Sequence, residues 1–189
     1  MSLRDRKKQE VRVVIREKAL ELFIEKDFSS VSVEEIVLLL NVSRRTFFRY
    51  FPTKEDVVFD WYEELRDGLV QTLKARPETE DYYESVCETL SSLLRYYDEN
   101  RDWSMKMMKL SKETSSLIAK SLEKRMLWER DLSAVIADRI SKGQDKDLRA
   151  KIIVGKAMTA FYYGVEQWYA EGGKKNIRTI LQKAFEFAK

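Results

Sequence analysis

The 189-residue chain contains no histidine, a single cysteine, two prolines and six glycines. Without histidine there is no Ser-His-Asp triad, no imidazole general base and no ordinary zinc site. With Cys87 alone, neither an intramolecular disulfide nor a cysteine metal cluster can form. Its surroundings, YYESVCETL, read as a helix in which the thiol acts as a small apolar group. No glycine-rich phosphate loop occurs. The longest aliphatic run, residues 36–40, is far too short to span a bilayer. The opening MSLRDRKKQE lacks the apolar stretch of a secretion signal, so a cytoplasmic protein without a membrane partner is expected. The carboxylate pairs Glu34-Glu35 and Glu63-Glu64 fall on helix starts or solvated faces. A non-enzyme with no cofactor and no metal is expected; the enzyme left as an alternative would have to work with Glu and Lys alone.

The net charge is only +3, too small by itself to announce a nucleic-acid binder, but its distribution is uneven. Arg4, Arg6, Lys7, Lys8, Arg12 and Arg16 face only Asp5 and Glu10, a basic arm suited to phosphates. The same arm, taken alone, reads equally as a solubilising charge run.

No strand-like alternation or internal repeat appears, and the apolar residues recur at helical spacing, so the fold class expected is all-α. Val13, Ala19, Leu20, Phe23 and Ile24 stripe a first helix ending near Lys26. Two short helices follow. Pro52-Thr53 breaks the chain, and Thr53 to Asp56 can cap one long helix reaching about Ala75. Pro77 ends that region, and a helix from Thr79 to Tyr97 comes next. A methionine-rich segment from Trp103 to Leu110, a helix from Thr114 to Ile140, the loop SKGQDKD, a helix from Asp147 to Ala170 closed by Gly172-Gly173, and a last helix from Asn176 to Ala188 complete the order.

The densest chemistry lies in residues 32–58. Ser32-Val33-Glu34-Glu35 fits the S-x-x-E capping box. Asn41 tolerates the left-handed backbone of a tight turn, and Ser43 can cap the helix that follows. That helix, SRRTFFRYF, starts with two arginines, whose forked guanidinium suits guanine edges in a major groove. On a helical wheel Phe47 and Phe51 share a core face, while Arg45, Thr46 and Arg49 lie opposite and Phe48 and Tyr50 flank them. Arg44 projects nearer the core but sits at the N-terminal end, where base contacts are made. Helix, tight turn, basic helix is the outline of a helix-turn-helix.

ALELFIEKDFSSVSVEEI, NVSRRTFFRYF and PTKEDVV, in this order and spacing, resemble the N-terminal domain of the TetR family of bacterial transcription regulators. Where the family often has glycine this chain has Asp27 and Asn41, and where it has small residues this chain has Val37 and Leu40. The resemblance implies a DNA-binding domain at 1–56 and an effector-binding and dimerisation domain at 57–189. It implies base contacts from Arg44, Arg45 and Phe48. Ser32, Thr46, Arg49, Tyr50 and Lys54 are the implied phosphate contacts, with Ser43 at the cap among the DNA-contacting residues.

A second resemblance rests on Met126-Leu127-Trp128-Glu129, Leu132, Arg139, Asp147, Trp168 and Gly172-Gly173, similar to a subgroup that includes mycofactocin-associated regulators. It implies an apolar effector of the acyl-coenzyme A or fatty-acid kind. The expected lining is drawn from Leu90, Leu94, Met105, Met108, Ile118, Leu122, Met126, Phe161 and Tyr162, since methionine repacks readily around apolar ligands. A coenzyme A head needs a basic mouth, for which Lys106, Lys109, Lys112, Lys120 and Arg125 are available. Ile177, Ile180, Leu181, Ala184 and Phe185 form a stripe, and Gly155 and Ala160 allow close approach on the preceding helix. A homodimer built on these two helices is expected, the same residues serving a monomer's interior being the alternative.

The function expected is a repressor that binds a palindromic double-stranded operator as a dimer and is released by its effector. A ligand-independent or activator-type regulator, and a structural DNA-bending protein, remain the other readings.

Overall fold

The computed structural model describes residues 3–140 and 145–189, with side chains from residue 5 onward. Arg4 of the expected arm and most of the loop expected at 141–147 fall outside that description. Eleven helices and no strand occur among the described residues, so the fold is all-α. They divide into two compact units, Met1–Tyr62 with Lys109–Ser121, and Glu63–Met108 with Leu122–Lys189.

The first unit holds α1 (Leu3–Lys26), α2 (Val33–Leu39), α3 (Arg44–Tyr50) and α4 (Lys54–Val58). Ile15, Ala19, Leu22 and Phe23 of α1 recur at one face and are buried, as are Phe28, Val31, Ile36, Phe47, Phe51, Val57 and Val58. Residues 109–121 add Leu110 and Leu117 to the same unit's interior. Where a family pattern favours glycine, Asp27 and Asn41 take left-handed backbone at φ 74° and 51°. The amide of Val42 then donates to the carbonyl of Val37 at 3.0 Å, closing α2 in a Schellman arrangement.

The long helix expected from Thr53 to Ala75 is two, α4 and α5 (Tyr62–Ala75). Between them Phe59 and Asp60 both turn inward. The Asp60 carboxylate is almost wholly enclosed, accepting from Arg12 Nε at 2.7 Å and pairing with Arg16 at 3.3 Å. An unbroken helix would carry one of these two side chains outward.

The second unit holds α5, α6 (Tyr82–Ser91), α7 (Leu94–Glu99) and most of α8 (Arg101–Glu113), α9 (Ser115–Arg139), α10 (Lys146–Ala170) and α11 (Ile177–Phe187). The helix expected over 79–97 begins instead at the cap Asp81, whose carboxylate accepts from the Tyr83 and Glu84 amides. It breaks at Ser92–Leu93, where the Ser91 and Ser92 hydroxyls bond back to the carbonyls of Cys87 and Thr89. The break lets Leu90, Leu93 and Leu94 all be buried.

α10 is the axis of this unit, packed against α11 and α6. Val154, Ala157, Met158, Phe161, Val165 and Trp168 face inward. Gly164 lets α11 approach: a Cβ there would lie 2.5 Å from Leu181 Cδ2. Gly172 and Gly173, at φ 69° and 65°, turn the chain from α10 to α11.

Candidate nucleic-acid interface

α3 is held by its neighbours on one side and bare on the other. Ser43 caps it, its hydroxyl accepting from the Thr46 amide at 3.1 Å and lying 2.9 Å from the Thr46 hydroxyl. Phe47 stacks against Phe51 with ring centroids 5.8 Å apart, and both are buried. Arg44, Arg45, Phe48 and Arg49 are exposed, while Thr46 and Tyr50 are half-buried. The sequence-derived wheel and the observed faces therefore coincide for the aromatics and for Arg45 and Arg49.

The basic residues differ in how they are engaged. Arg44 Nη1 pairs with Glu34 Oε1 of α2 at 2.6 Å, and its guanidinium carbon lies 5.8 Å from the Phe48 ring centre. Arg49 donates to the Tyr50 hydroxyl at 3.2 Å and lies over that ring. Lys54, expected at a phosphate, donates to the carbonyls of Phe28 and Val31 at 2.8 and 3.0 Å and lies over the Phe28 ring. It thus ties the α1–α2 connection to α4. Ser32 caps α2 through the Glu35 amide at 3.2 Å, but Glu35 sends its carboxylate to Lys26 and does not complete a capping box. The reciprocal box is at Thr53 and Asp56.

Of the basic arm, Arg12 and Arg16 turn to Asp60 and Arg6 pairs with Glu10. Lys7 and Lys8 remain beside the motif. With Asp5, Val11, Arg49 and Tyr50 they line a cleft of about 540 Å³ next to the C-terminal end of α3. The sequence signal for this was the arm itself, without any indication of which cations would face α3.

Asp56 meets a further cation that the sequence placed elsewhere. Lys120, a candidate for the effector mouth, pairs with Asp56 at 2.9 Å. Burial pushes the Asp56 carboxyl up, but hydrogen bonds from Lys120 and Thr53 outweigh it and hold it below the usual range.

The residues expected to line an effector pocket differ in burial and in the unit to which they belong. Leu90, Leu94 and Phe161 are buried, and Met105 and Met108 are half-buried. Leu122, Tyr162 and above all Met126, at 70% exposure, stand in solvent. Ile118 is exposed and belongs to the first unit, as do Lys109 and Lys112. Arg125 bonds Glu129 and Thr159 and lies 5.1 Å from the Tyr162 ring centre, whereas Lys106 is exposed. Cys87 is buried, and that burial pushes its thiol up to about 12, leaving no reactive thiolate near neutral pH.

The expected dimer stripe is enclosed within one chain only in part. Ile177 and Leu181 are 0% and 1% exposed, and Ala160 is also buried. Ile180, Ala184 and Phe185 are half-buried, and the Phe185 carbonyl accepts from the Tyr83 hydroxyl at 2.8 Å. Gly155 is different: half-exposed, with open space where a Cβ would stand. No helix among the described residues is long and apolar enough to cross a membrane.

Comparison with known proteins matches both units. Residues 15–60 match the model described as bacterial regulatory proteins of the tetR family, and residues 80–188 match the MftR C-terminal domain. The HTH-type transcriptional regulator TcmR of Streptomyces glaucescens is 30% identical over 173 residues, covering 88% of this chain and 76% of TcmR. Among solved structures, FadR of Thermus thermophilus in complex with lauroyl-CoA superposes with a TM-score of 0.60 at 21% identity, covering 94% of this chain and 92% of that one. FadR of Bacillus subtilis in complex with stearoyl-CoA gives 0.57 at 16% identity, over 92% and 95%. With a capped, arginine-bearing helix-turn-helix in its first unit and these matches over both, the chain belongs to the tetR family of bacterial transcriptional regulators.

Proposed function

We propose that this regulator is a repressor that binds a palindromic operator as a homodimer and lets go when a long-chain acyl-coenzyme A or fatty acid enters its second unit. The observation that carries the DNA reading is α3 itself, with Phe47 and Phe51 buried and Arg44, Arg45 and Arg49 exposed. Arg44, Arg45 and Phe48 contact bases; Ser32, Ser43, Thr46, Arg49 and Tyr50 contact or position against phosphates. Lys7 and Lys8 extend the phosphate contacts beyond the motif. Lys54 acts by holding the α1–α2 connection in place and reaches phosphate with whatever donor its two carbonyl partners leave.

The partner subunit docks on the outward side of α10. Leu148, Ile152 and Tyr163 are exposed there at spacings of four and eleven residues, with Gly155 on the same face. Ile180, Ala184 and Phe185 of α11 contribute their half-buried edges. An interface of this kind must bury more than about 1,000 Å² to hold a stable dimer.

The acyl chain inserts among Leu90, Leu94, Met105, Met108 and Phe161, with Leu122, Met126 and Tyr162 at the rim. Two FadR proteins of the same fold hold acyl-coenzyme A, and methionine side chains can repack to admit such a chain. Arg125 and Lys106 face the coenzyme A phosphates. The ligand regulates only if it favours one conformation of the dimer over the other.

Selection from random-sequence duplexes, followed by sequencing, should return a two-fold symmetric site. Titrating palmitoyl-coenzyme A into that complex should release the DNA, while unacylated coenzyme A and acetyl-coenzyme A should not. A site without symmetry would overturn the dimeric reading, and release independent of chain length would overturn the acyl effector.

A further inference from the structure

Two arginines open α3, and the structure treats them differently. Arg44 is braced on two sides. Its Nη1 is 2.6 Å from Glu34 Oε1, and its guanidinium carbon is 5.8 Å from the Phe48 ring centre. Arg45, one residue on, is exposed, and among the described residues no carboxylate is paired with it. Glu34 and its neighbour Glu35 diverge: Glu35 goes back to Lys26 of α1, Glu34 across the turn to α3. Both residues of the Glu34–Arg44 pair are exposed, and such pairs add little to fold stability. What the pair changes is the freedom of the arginine.

An unrestrained arginine loses several rotors when it docks on a base, and holding it beforehand reduces that loss. Which nitrogen is held matters. The guanidinium carries five N–H groups in a fixed plane. An ion pair at Nη1 leaves the adjacent parallel pair, Nε–H and Nη2–H, on the other edge of the guanidinium. That pair matches guanine N7 and O6. The brace therefore occupies one edge of the fork and keeps the recognition edge open. α3 also has no acidic residue in its own first turn. Glu34 supplies from α2 a negative charge that offsets the conflict between Arg44 and the positive end of the helix dipole.

Taking α3 as the base-reading helix, we propose that Glu34 is a specificity-determining positioning residue: it holds Arg44 for a guanine, so that Arg44 gives a sharp preference and the unbraced Arg45 a tolerant one. Glu34 touches no base in this account. It also lowers affinity for DNA in general, because its carboxylate is unwelcome near phosphates, and it thereby widens the gap between correct and incorrect sites.

The experiment is selection of the intact protein against random-sequence duplexes, reading a base profile for wild type, Glu34→Ala, Glu34→Gln, Arg44→Ala and the double variant Glu34→Ala with Arg44→Ala. Affinities are then measured for the wild-type best site and for a scrambled duplex. Arg44→Ala should flatten one position in each half-site. Glu34→Ala should flatten the same position and weaken the best site by about five- to tenfold, a fraction of what a bidentate base contact is worth. Its affinity for scrambled duplex should stay level or rise. Glu34→Gln keeps one acceptor oxygen and should fall between, and the double variant should resemble Arg44→Ala alone. Unchanged thermal midpoints for both Glu34 variants would tie these effects to the arginine and away from folding. An unaltered profile in Glu34→Ala, with both duplexes shifted by one common factor, would overturn the positioning role while leaving Arg44 a base reader. An unaltered profile in Arg44→Ala would overturn that reading of α3 and the proposal with it.

Discussion

On α11 the inward residues are Ile177 and Leu181, and the outward positions are Arg178, Thr179, Gln182, Lys183 and Glu186, with Phe187 the one large apolar side chain exposed, at the helix's last residue. On α10, packed against it, the inward residues are just as apolar, yet Leu148, Ile152, Tyr162 and Tyr163 also face out. Both helices satisfy the same test of apolar residues three and four apart, but the consequences differ. On α11 the Ile177 and Leu181 edge of the stripe is used by its own chain, and Ile180, Ala184 and Phe185 are half-buried beside it. α10 has a second stripe, on a helix whose apolar positions exceed what one core can take. Periodicity reports that an apolar face exists; it does not report whether one chain has already covered it.

The largest effect that can break this comparison comes from the buried face. Leu181→Ala should destabilise the folded chain by about 2–5 kcal/mol, the range for emptying a packed leucine site. Ile152→Asp should leave the thermal midpoint of the isolated chain nearly unchanged while shifting sedimentation from dimer to monomer. Should Leu181→Ala give a stable monomer and Ile152→Asp an unfolded chain, the roles assigned to the two helices are reversed.

A smaller change sharpens the same point at the contact itself. Gly164→Ala puts a Cβ where Leu181 Cδ2 now lies 2.5 Å away, with Leu181 Cγ and Ala184 Cβ at 3.3 and 3.4 Å. The leucine can swing part of the way, so the expected cost is about 1–3 kcal/mol, as for other overpacked cores. Gly155→Ala, on the open side of α10, should leave the monomer's stability level or slightly raised, since alanine favours helix over glycine. Equal effects at the two glycines, measured by denaturant unfolding, would show that α10 does not have one closed and one open side.

The first unit was more legible than the second for a physical reason. Its signals are local: Ser43 caps a helix three residues on, Asn41 takes the turn's left-handed backbone, and Phe47 and Phe51 share a face because they are one turn apart. Where a contact joined distant residues, the sequence was silent even there. Asp60 with Arg12 and Arg16 broke the expected helix at 59–61, Lys120 went to Asp56, and Lys54 went to the carbonyls of Phe28 and Val31. Glu34 could be seen as a carboxylate on a helix start but not as the partner of Arg44. In the second unit the decisive facts are all of this kind, so the stripe on α11 and eight of the nine expected lining residues could be named without their sides being known.

The start of the second unit shows the same dependence on distant partners, and acid should reveal it with the smallest effect of the three. Arg139 donates to the carbonyls of Leu73 and Arg76, which closes the end of α5. Arg76 then donates from Nε to Glu80 at 2.8 Å, and the Ser85 hydroxyl donates to the same carboxylate at 2.6 Å. These hydrogen bonds, that from Arg76 first, lower the Glu80 carboxyl from 4.5 to about 2. Because the folded value lies below the unfolded one, the associated stability is fully present above about 4.5 and is lost as pH falls towards about 2. Glu80→Gln should therefore be less stable than wild type at neutral pH, and the gap should close across that window as the wild-type carboxylate is protonated. The two proteins differ only at this carboxyl, so the difference between them is the quantity to follow. A gap that stays constant from neutral pH down to about 2 would mean that Glu80 holds the α5–α6 connection by its shape alone, and not by its charge.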